Sequence, residues 1–255
     1  MKKGIDVSRF QEGLKIKDVK QAGYEFVIIR GGLTGYGLKR PKRKDVCFDD
    51  FYAQCKAAQM PCGVYYYSCA KTYQEGKEEA HFLYDNCLKN KLFEYPIYID
   101  VENEYWQGKE KQGVTDAIIG FCDTLEKLGF FAGVYASLSW FENKLDTNRL
   151  ERFTKWVACW SDKKPEFKYN GFDLWQNSDC GIIGKILVDT NIANKDFPSI
   201  MKNNSKNGYL NKSVEELARE VIKGVWGYGE DRKKRLTAAG YDYQSVQNKV
   251  NELLK

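Results

Sequence analysis

The chain has 255 residues, enough for one large domain beside a small one, and 43% of them are hydrophobic, so a sizeable core can form. The formal net charge is only +5, no apolar run approaches the roughly 18 residues that span a membrane, and the opening MKKGIDVSRF lacks the apolar stretch of a secretory signal. These features argue against a membrane-inserted or exported protein and predict synthesis in a cytoplasm.

Residues 1–197 alternate short apolar runs with amphipathic stretches, the rhythm of an α/β domain with a largely parallel sheet. The expected strands are Gly4–Val7, Phe26–Gly31, Pro61–Ser68, Pro96–Val101, Phe131–Ala136, Lys155–Trp160, Phe172–Gln176 and Ile186–Asp189. Helices are expected around Val46–Gln59, Gln74–Asn90 and Val114–Leu128, with Gly23, Gly63 and Gly129 at the helix-to-strand returns. Eight strands with helices crowded into the first two-thirds predict an irregular (β/α) TIM-like barrel. The polar segment 198–211 reads as a linker, and an internal start at Met201 within it would release the tail alone. Residues 212–255 carry three short helical patterns, with Val214, Leu217, Val221 and Ile222 at helical spacing, and predict a small C-terminal three-helix module.

The chemistry available is narrow. The single histidine, His81, lies in a helical pattern away from any strand end, which leaves no His-rich zinc site and no Ser-His or Cys-His centre. The eight cysteines are scattered singly, without a C-x-x-C pair, and are expected to be buried free thiols. Neither a metal nor another cofactor is expected. Carboxylates remain. In YPIYIDVEN an apolar strand ends in Asp100 and Glu102, and side chains two apart on a strand share a face. Asp6 follows the first strand in GIDVSRFQ, and Asp189 ends ILVDTN. Any one of these acids has a plain reading as a solvated cap. Four at topologically equivalent strand ends would converge on the mouth of a barrel, where mutual repulsion raises at least one pKa, as a general acid requires.

GIDVSRFQ, GVYYYS at 63–68, YPIYIDVEN, GVYAS at 133–137, LWQNS at 174–178 and VDTN at 188–191 together resemble glycoside hydrolase family 25, the Chalaropsis-type lysozymes of many phage endolysins. The resemblance covers residues 3–197 and implies hydrolysis of the β-1,4 bond between N-acetylmuramic acid and N-acetylglucosamine. It implies Glu102 as general acid, Asp100 as its partner carboxylate, and Asp6 and Asp189 as supporting acids. Arg30, Tyr67, Tyr135, Trp175 and Gln176 fall where the family lines its substrate groove, whereas Asn177 departs from the tyrosine common after Trp-Gln.

The tail, from LAREVIKG through VWGYGEDRKKRLTAAGYDYQSVQ, is similar to a cell-wall-binding repeat first known from a pneumococcal phage lysozyme. This points to Trp226, Arg235, Tyr241, Asp242 and Tyr243 as wall contacts, with a core role for the aromatic residues equally open. Such repeats usually occur in tandem, so self-association of a single copy is one route to avidity. From Lys202 onward 11 basic and 7 acidic residues give a net of +4, but Glu215, Glu216, Glu220, Glu230 and Asp231 break any basic stripe. A solvated face is the default, an anionic wall comes next and nucleic acid last. The expected partner is therefore bacterial peptidoglycan, reached from the host cytoplasm through a membrane lesion. The rivals are a chitinase-like glycosidase and a barrel that binds peptidoglycan without cutting it.

Overall fold

Period-2 runs of β-branched and aromatic residues become nine strands in the computed structural model, which describes every residue except 37–38, 104–109, 210–211, 240 and 255. They are β1 (Lys2–Val7), β2 (Phe26–Thr34), β3 (Lys42–Lys44), β4 (Cys62–Tyr67), β5 (Ile97–Asp100), β6 (Ala132–Ser137), β7 (Thr154–Ala158), β8 (Leu174–Ile183) and β9 (Ile186–Ala193). The hydrogen-bonded order β1-β2-β4-β5-β6-β7-β8-β9 returns to β1, so eight strands close a barrel and β3 pairs only with β2. Neighbours within the barrel are parallel except β9, which runs antiparallel to both β8 and β1. The cause is local. A tight turn at Gly184, at φ +63, sends the chain straight back, leaving no crossover segment to restore the parallel direction.

The expected helices appear as α2 (Phe48–Ala57), α3 (Tyr73–Leu83) and α4 (Lys111–Lys127), joined by the shorter α1 (Ile16–Gln21) and α5 (Leu138–Asn143). Helices α3 and α4 approach unusually closely, because a Cβ at Gly76 would stand 2.0 Å from the Ala117 carbonyl oxygen. Alternation along the strands makes two cores. Ile5, Val27, Ile29, Val64, Ile99 and Val134 face outward against the helices. Phe26, Ile28, Tyr98, Tyr135, Trp156 and Leu174 face into the barrel. Gly23 and Gly129 do take φ +88 at helix-to-strand returns; Gly63 does not, being part of β4, and Gln59 at φ +50 makes that turn. All eight cysteines are free and six are buried, but Cys159 is half-buried and Cys180 exposed, and His81 sits exposed on α3.

The segment expected to be a linker is largely part of the barrel. Residues Phe197–Asn203 form α6, whose Phe197 and Met201 are fully buried among the residues of the barrel interior. Asn207, also fully buried, donates to the Tyr95 carbonyl (2.7 Å) and accepts from the Phe131 backbone N–H (2.6 Å). A polar-looking sequence hid a plug with a few apolar anchors, one asparagine saturating backbone groups at the strand-entry end. Met201 is therefore a core residue of the barrel. Beyond it, α7 (Val214–Ile222), α8 (Gly229–Ala238) and α9 (Tyr243–Leu253) bury Leu217, Val221, Leu236, Val246 and Val250 together. Ser213 and Glu216 form a capping box at the start of α7.

Candidate active site

The exit ends of the strands surround a cavity of about 290 Å³ lined by Asp6, Asp100, Glu102, Asp179 and Asp189, with Tyr65, Tyr135, Trp156, Trp160 and Gln176. Strand β5 stops at Asp100, but the Val101 N–H still bonds the Tyr135 carbonyl (3.1 Å), so the extended backbone carries Glu102 to the same cavity. Asp100 is buried at 4% exposure and Glu102 is exposed at the mouth. Asp189 arrives differently from the expectation. It lies mid-strand on β9, whose carboxyl end points to the barrel base, and reaches the mouth because the reversed strand sets it opposite Asp6.

Gln176 organises this acid pair. Its Nε2 donates to Asp6 (3.1 Å) and Asp189 (3.3 Å), while its Oε1 accepts from Tyr135 Oη (2.9 Å) and Trp160 Nε1 (3.2 Å). Asn191 Nδ2 also donates to Asp6 (2.7 Å), and its Oδ1 accepts from Trp156 Nε1 (2.8 Å). Burial and then the charge of Asp189 push Asp6 up to about 8. Asp189 is raised by burial and then by Asp179, with its hydrogen bond to Asp6 acting in the opposite sense. Burial raises Asp100 well above the carboxylate range, with Glu102 and Asp6 adding to it, and Glu102 is raised by loss of water and then by Asp189. Burial and mutual repulsion thus raise all four carboxyls at the mouth, the condition under which one of them can keep a proton for acid catalysis.

This protonation has a consequence for stability. Between the unfolded value of about 3.9 and the folded value, native Asp6 binds a proton that the unfolded chain has released, so stability falls as pH rises through that window. The folded value is about 8. Asp6→Asn should therefore raise the Tm at pH 8 and narrow the Tm difference between pH 5 and pH 8, by about 2–4 °C for each kcal/mol of repulsion relieved. Calorimetry at both pH values checks this; an unchanged difference would mean that Asp6 is ionised in the folded chain.

Residues 5–186 match the family described as Glycosyl hydrolases family 25. The chain belongs to that family. Residues 215–254 match the CW_7 repeat. The lysozyme of Streptococcus phage Cp-7 is 28% identical over 213 residues, and the match spans 78% of this chain but 58% of that lysozyme's length. Among solved structures, the CTP1L endolysin superposes with a TM-score of 0.68 at 18% identity, covering 97% of this chain and 100% of that one. The catalytic domain of endolysin ply40, from bacteriophage P40 of Listeria monocytogenes, gives 0.63 at 23% identity over 79% of this chain and 97% of its own. At such identities the likeness is one of fold.

Within this family-25 barrel, the residues expected to line a groove separate into two groups. Tyr135 and Gln176 face the cavity. Trp175 does not: between inward Leu174 and Gln176 it points outward into the helix-side core, donating to the Cys159 carbonyl (2.7 Å). Arg30 is held in a buried ion pair with Asp45 (2.6 Å) and is not among the cavity-lining residues. Tyr67 stands outside the cavity lining, bonded to Tyr36 Oη (3.0 Å) and to Asn103 Nδ2 (2.9 Å), the residue after Glu102. Strand parity could have exposed Tyr65, two before Tyr67, and Trp156 as inward residues. Asp179 was not legible, because register shifts in β8 after Gln176 and Ser178 break the period that would predict its direction. Trp160, 60% exposed on the cavity wall, and Trp175 should thus behave oppositely. Trp160→Ala should raise KM and leave the Tm unchanged, whereas Trp175→Ala should cost about 3–5 kcal/mol in denaturant unfolding.

In the tail, Trp226 donates to Glu220 (3.0 Å) and packs edge-on to Tyr241 at 5.9 Å. Tyr243 also packs against the small core, Asp242 caps α9 through the Ser245 N–H (2.9 Å), and Arg235 pairs with Asp231 (2.9 Å). Each residue expected to touch the wall therefore has a structural contact of its own.

Proposed function

We propose that this chain is an endolysin muramidase that hydrolyses the β-1,4 bond between N-acetylmuramic acid and N-acetylglucosamine in bacterial peptidoglycan. The observation that carries the reading is the convergence of five carboxylates, with aromatic walls, on one barrel mouth in a family-25 chain. Glu102 is the general acid. It is the member of the D-x-E pair open to incoming glycan, and its raised pKa keeps a proton available for the leaving oxygen. Asp100, deeper on the same face, is the partner carboxylate that stabilises the developing cation or orients the N-acetyl group, while Asp6 and Asp189 tune the charge around them. Trp160 and Tyr135 offer ring faces to the sugar. The tail, matched by the CW_7 repeat, holds the enzyme on its polymer, and synthesis in a host cytoplasm with release through a membrane lesion suits such an enzyme. Among the described residues no helix is long and apolar enough to cross a membrane.

Digestion of purified peptidoglycan, followed by borohydride reduction and mass spectrometry, tests the bond. Reduced muramic acid at the new ends is the expected result. Reduced glucosamine at the new ends, or equally fast hydrolysis of chitin, would replace the muramidase reading with a different glycosidase. Wall binding without new reducing ends would leave a binding protein. Fragment 212–255 should co-sediment with walls at low salt and lose affinity as salt screens its net positive charge.

A further inference from the structure

The ladder bonds of β5 stop short of Glu102. The Asp100 carbonyl accepts from the Ser68 N–H (2.9 Å) and the Val101 N–H donates to the Tyr135 carbonyl (3.1 Å), so both neighbouring strands hold the chain as far as Val101. Glu102 follows, exposed, and among the described residues no hydrogen bond holds its carboxyl. The chain is gripped again one residue later, where Asn103 Nδ2 donates to Tyr67 Oη (2.9 Å). Tyr67 is the register partner of Asp100 on β4, so the two side chains leave the sheet on one face. Its phenol therefore spans the step from Asp100 to the residue beyond Glu102. Tyr36 supports it from the other side, with Oη 3.0 Å from Tyr67 Oη and the two rings edge to face at 6.4 Å between centroids. Burial, and then the bond to Tyr36, push the Tyr67 phenol well above its ordinary value. It stays neutral, able to take the Asn103 N–H while sharing its own proton with Tyr36.

We propose that Tyr67 is a positioning residue that holds Asn103 and thereby sets where the Glu102 carboxyl stands over the mouth. The inference rests on the reading of Glu102 as the general acid. A proton reaches the departing sugar oxygen only from a donor within about 2.6–3.2 Å of it. An exposed glutamate just past a strand end has several rotamers open to it, each multiplied by any freedom of its backbone. Gripping Asn103 fixes that backbone on the far side of Glu102, as the β5 ladder fixes it on the near side. The family resemblance places Tyr67 against substrate, but here its hydroxyl serves Asn103 and Tyr36, and the residue stands off the cavity wall. A phenylalanine would fill the same space without any hold on Asn103.

Steady-state hydrolysis of soluble, uncross-linked glycan strands by the full chain, with calorimetric Tm beside it, tests this. Tyr67→Phe should lower kcat about 10- to 100-fold, the order of loss a displaced catalytic group produces, with KM within about twofold and Tm within about two degrees of wild type. Asn103→Ala should do the same, and the double variant should be no slower than the slower single one, because both substitutions break one bond. In the Glu102→Gln background Tyr67→Phe should cost less than about twofold, since the amide has no proton to misplace. A raised KM with unchanged kcat in Tyr67→Phe would make the residue a sugar contact, and a lowered Tm with unchanged kcat would make it purely structural. Losses that multiply in the double variant would give the two residues separate roles. Each of these results overturns the inference. Wild-type hydrolysis by Glu102→Gln defeats the acid reading itself, an outcome read separately from the coupling between Tyr67 and Asn103.

Discussion

Glu102→Gln is expected to lower peptidoglycan hydrolysis by about 10²–10⁴-fold, the usual worth of a positioned general acid. The amide keeps the size and the polar contacts of the side chain but has no proton to give to the departing sugar oxygen. Glu102 is exposed at the mouth, beyond the last residue of β5, so the substitution should leave the Tm within a degree or two of wild type. Asp100→Asn should be comparably severe in rate, but at 4% exposure burial disfavours its ionised form, so an amide that cannot ionise should raise the Tm toward alkaline pH. The pair of measurements, initial rate of reducing-end release and calorimetric Tm, distinguishes these roles. Wild-type hydrolysis by Glu102→Gln would remove it from the acid role and shift attention to Asp6, the acid that holds its proton up to about 8.

Truncation at residue 196 is expected to unfold the barrel, whereas truncation at residue 209 should leave it folded and able to cut soluble glycan fragments. The reason is the base plug. Removing α6 strips away Phe197 and Met201, both fully buried, and uncovers Phe26 and Tyr95, which stack at 4.3 Å beneath the barrel interior. Losing a buried phenylalanine costs about 3–5 kcal/mol and a buried methionine about 2–5 kcal/mol, against a total stability of about 5–15 kcal/mol for a domain. A cut at residue 204 should fall between the two. It keeps α6 but loses Asn207, whose backbone bonds Gly129 and Phe93 and whose side chain bonds Tyr95 and Phe131. Circular-dichroism melting of the three fragments ranks them. Equal melting temperatures for fragments ending at 196 and 209 would show that the segment only decorates the barrel.

Features governed by a local period were legible before any tertiary structure. The β5 run dictates that Asp100 and Glu102 share a face, because alternate side chains of an extended chain must do so whatever the strand is paired with. The same logic separated core helices from strands over residues 48–57, 73–83 and 111–127, where apolar spacing repeats for several turns. It did not extend to α1 and α5, each six residues long and too short for the period to repeat. The order of the motifs sufficed to indicate the family and its barrel.

Other features depend on which strands meet and in what register, and no local period encodes that. Asp189 faces Asp6 because β9 runs backward beside β1, and Asp179 joins the mouth because β8 slips register twice, whereas Trp175, next to inward Gln176, turns away by the alternation the sequence already carried. The protonation of Asp6 exists only once burial and a second carboxylate coincide around it. Arg30 was assigned to the groove only through the family resemblance, and its pinning by Asp45 depends on where the β2–β3 hairpin returns. Asn207, in a polar segment without an apolar pattern, became structural by meeting unpaired backbone groups from the loops before β5 and β6. Amino-acid order by itself determined which residue types could do the chemistry and, where a strand runs unbroken, which of them share a face; strand pairing across distant segments, with the burial it creates, decided which of them meet and whose proton is held.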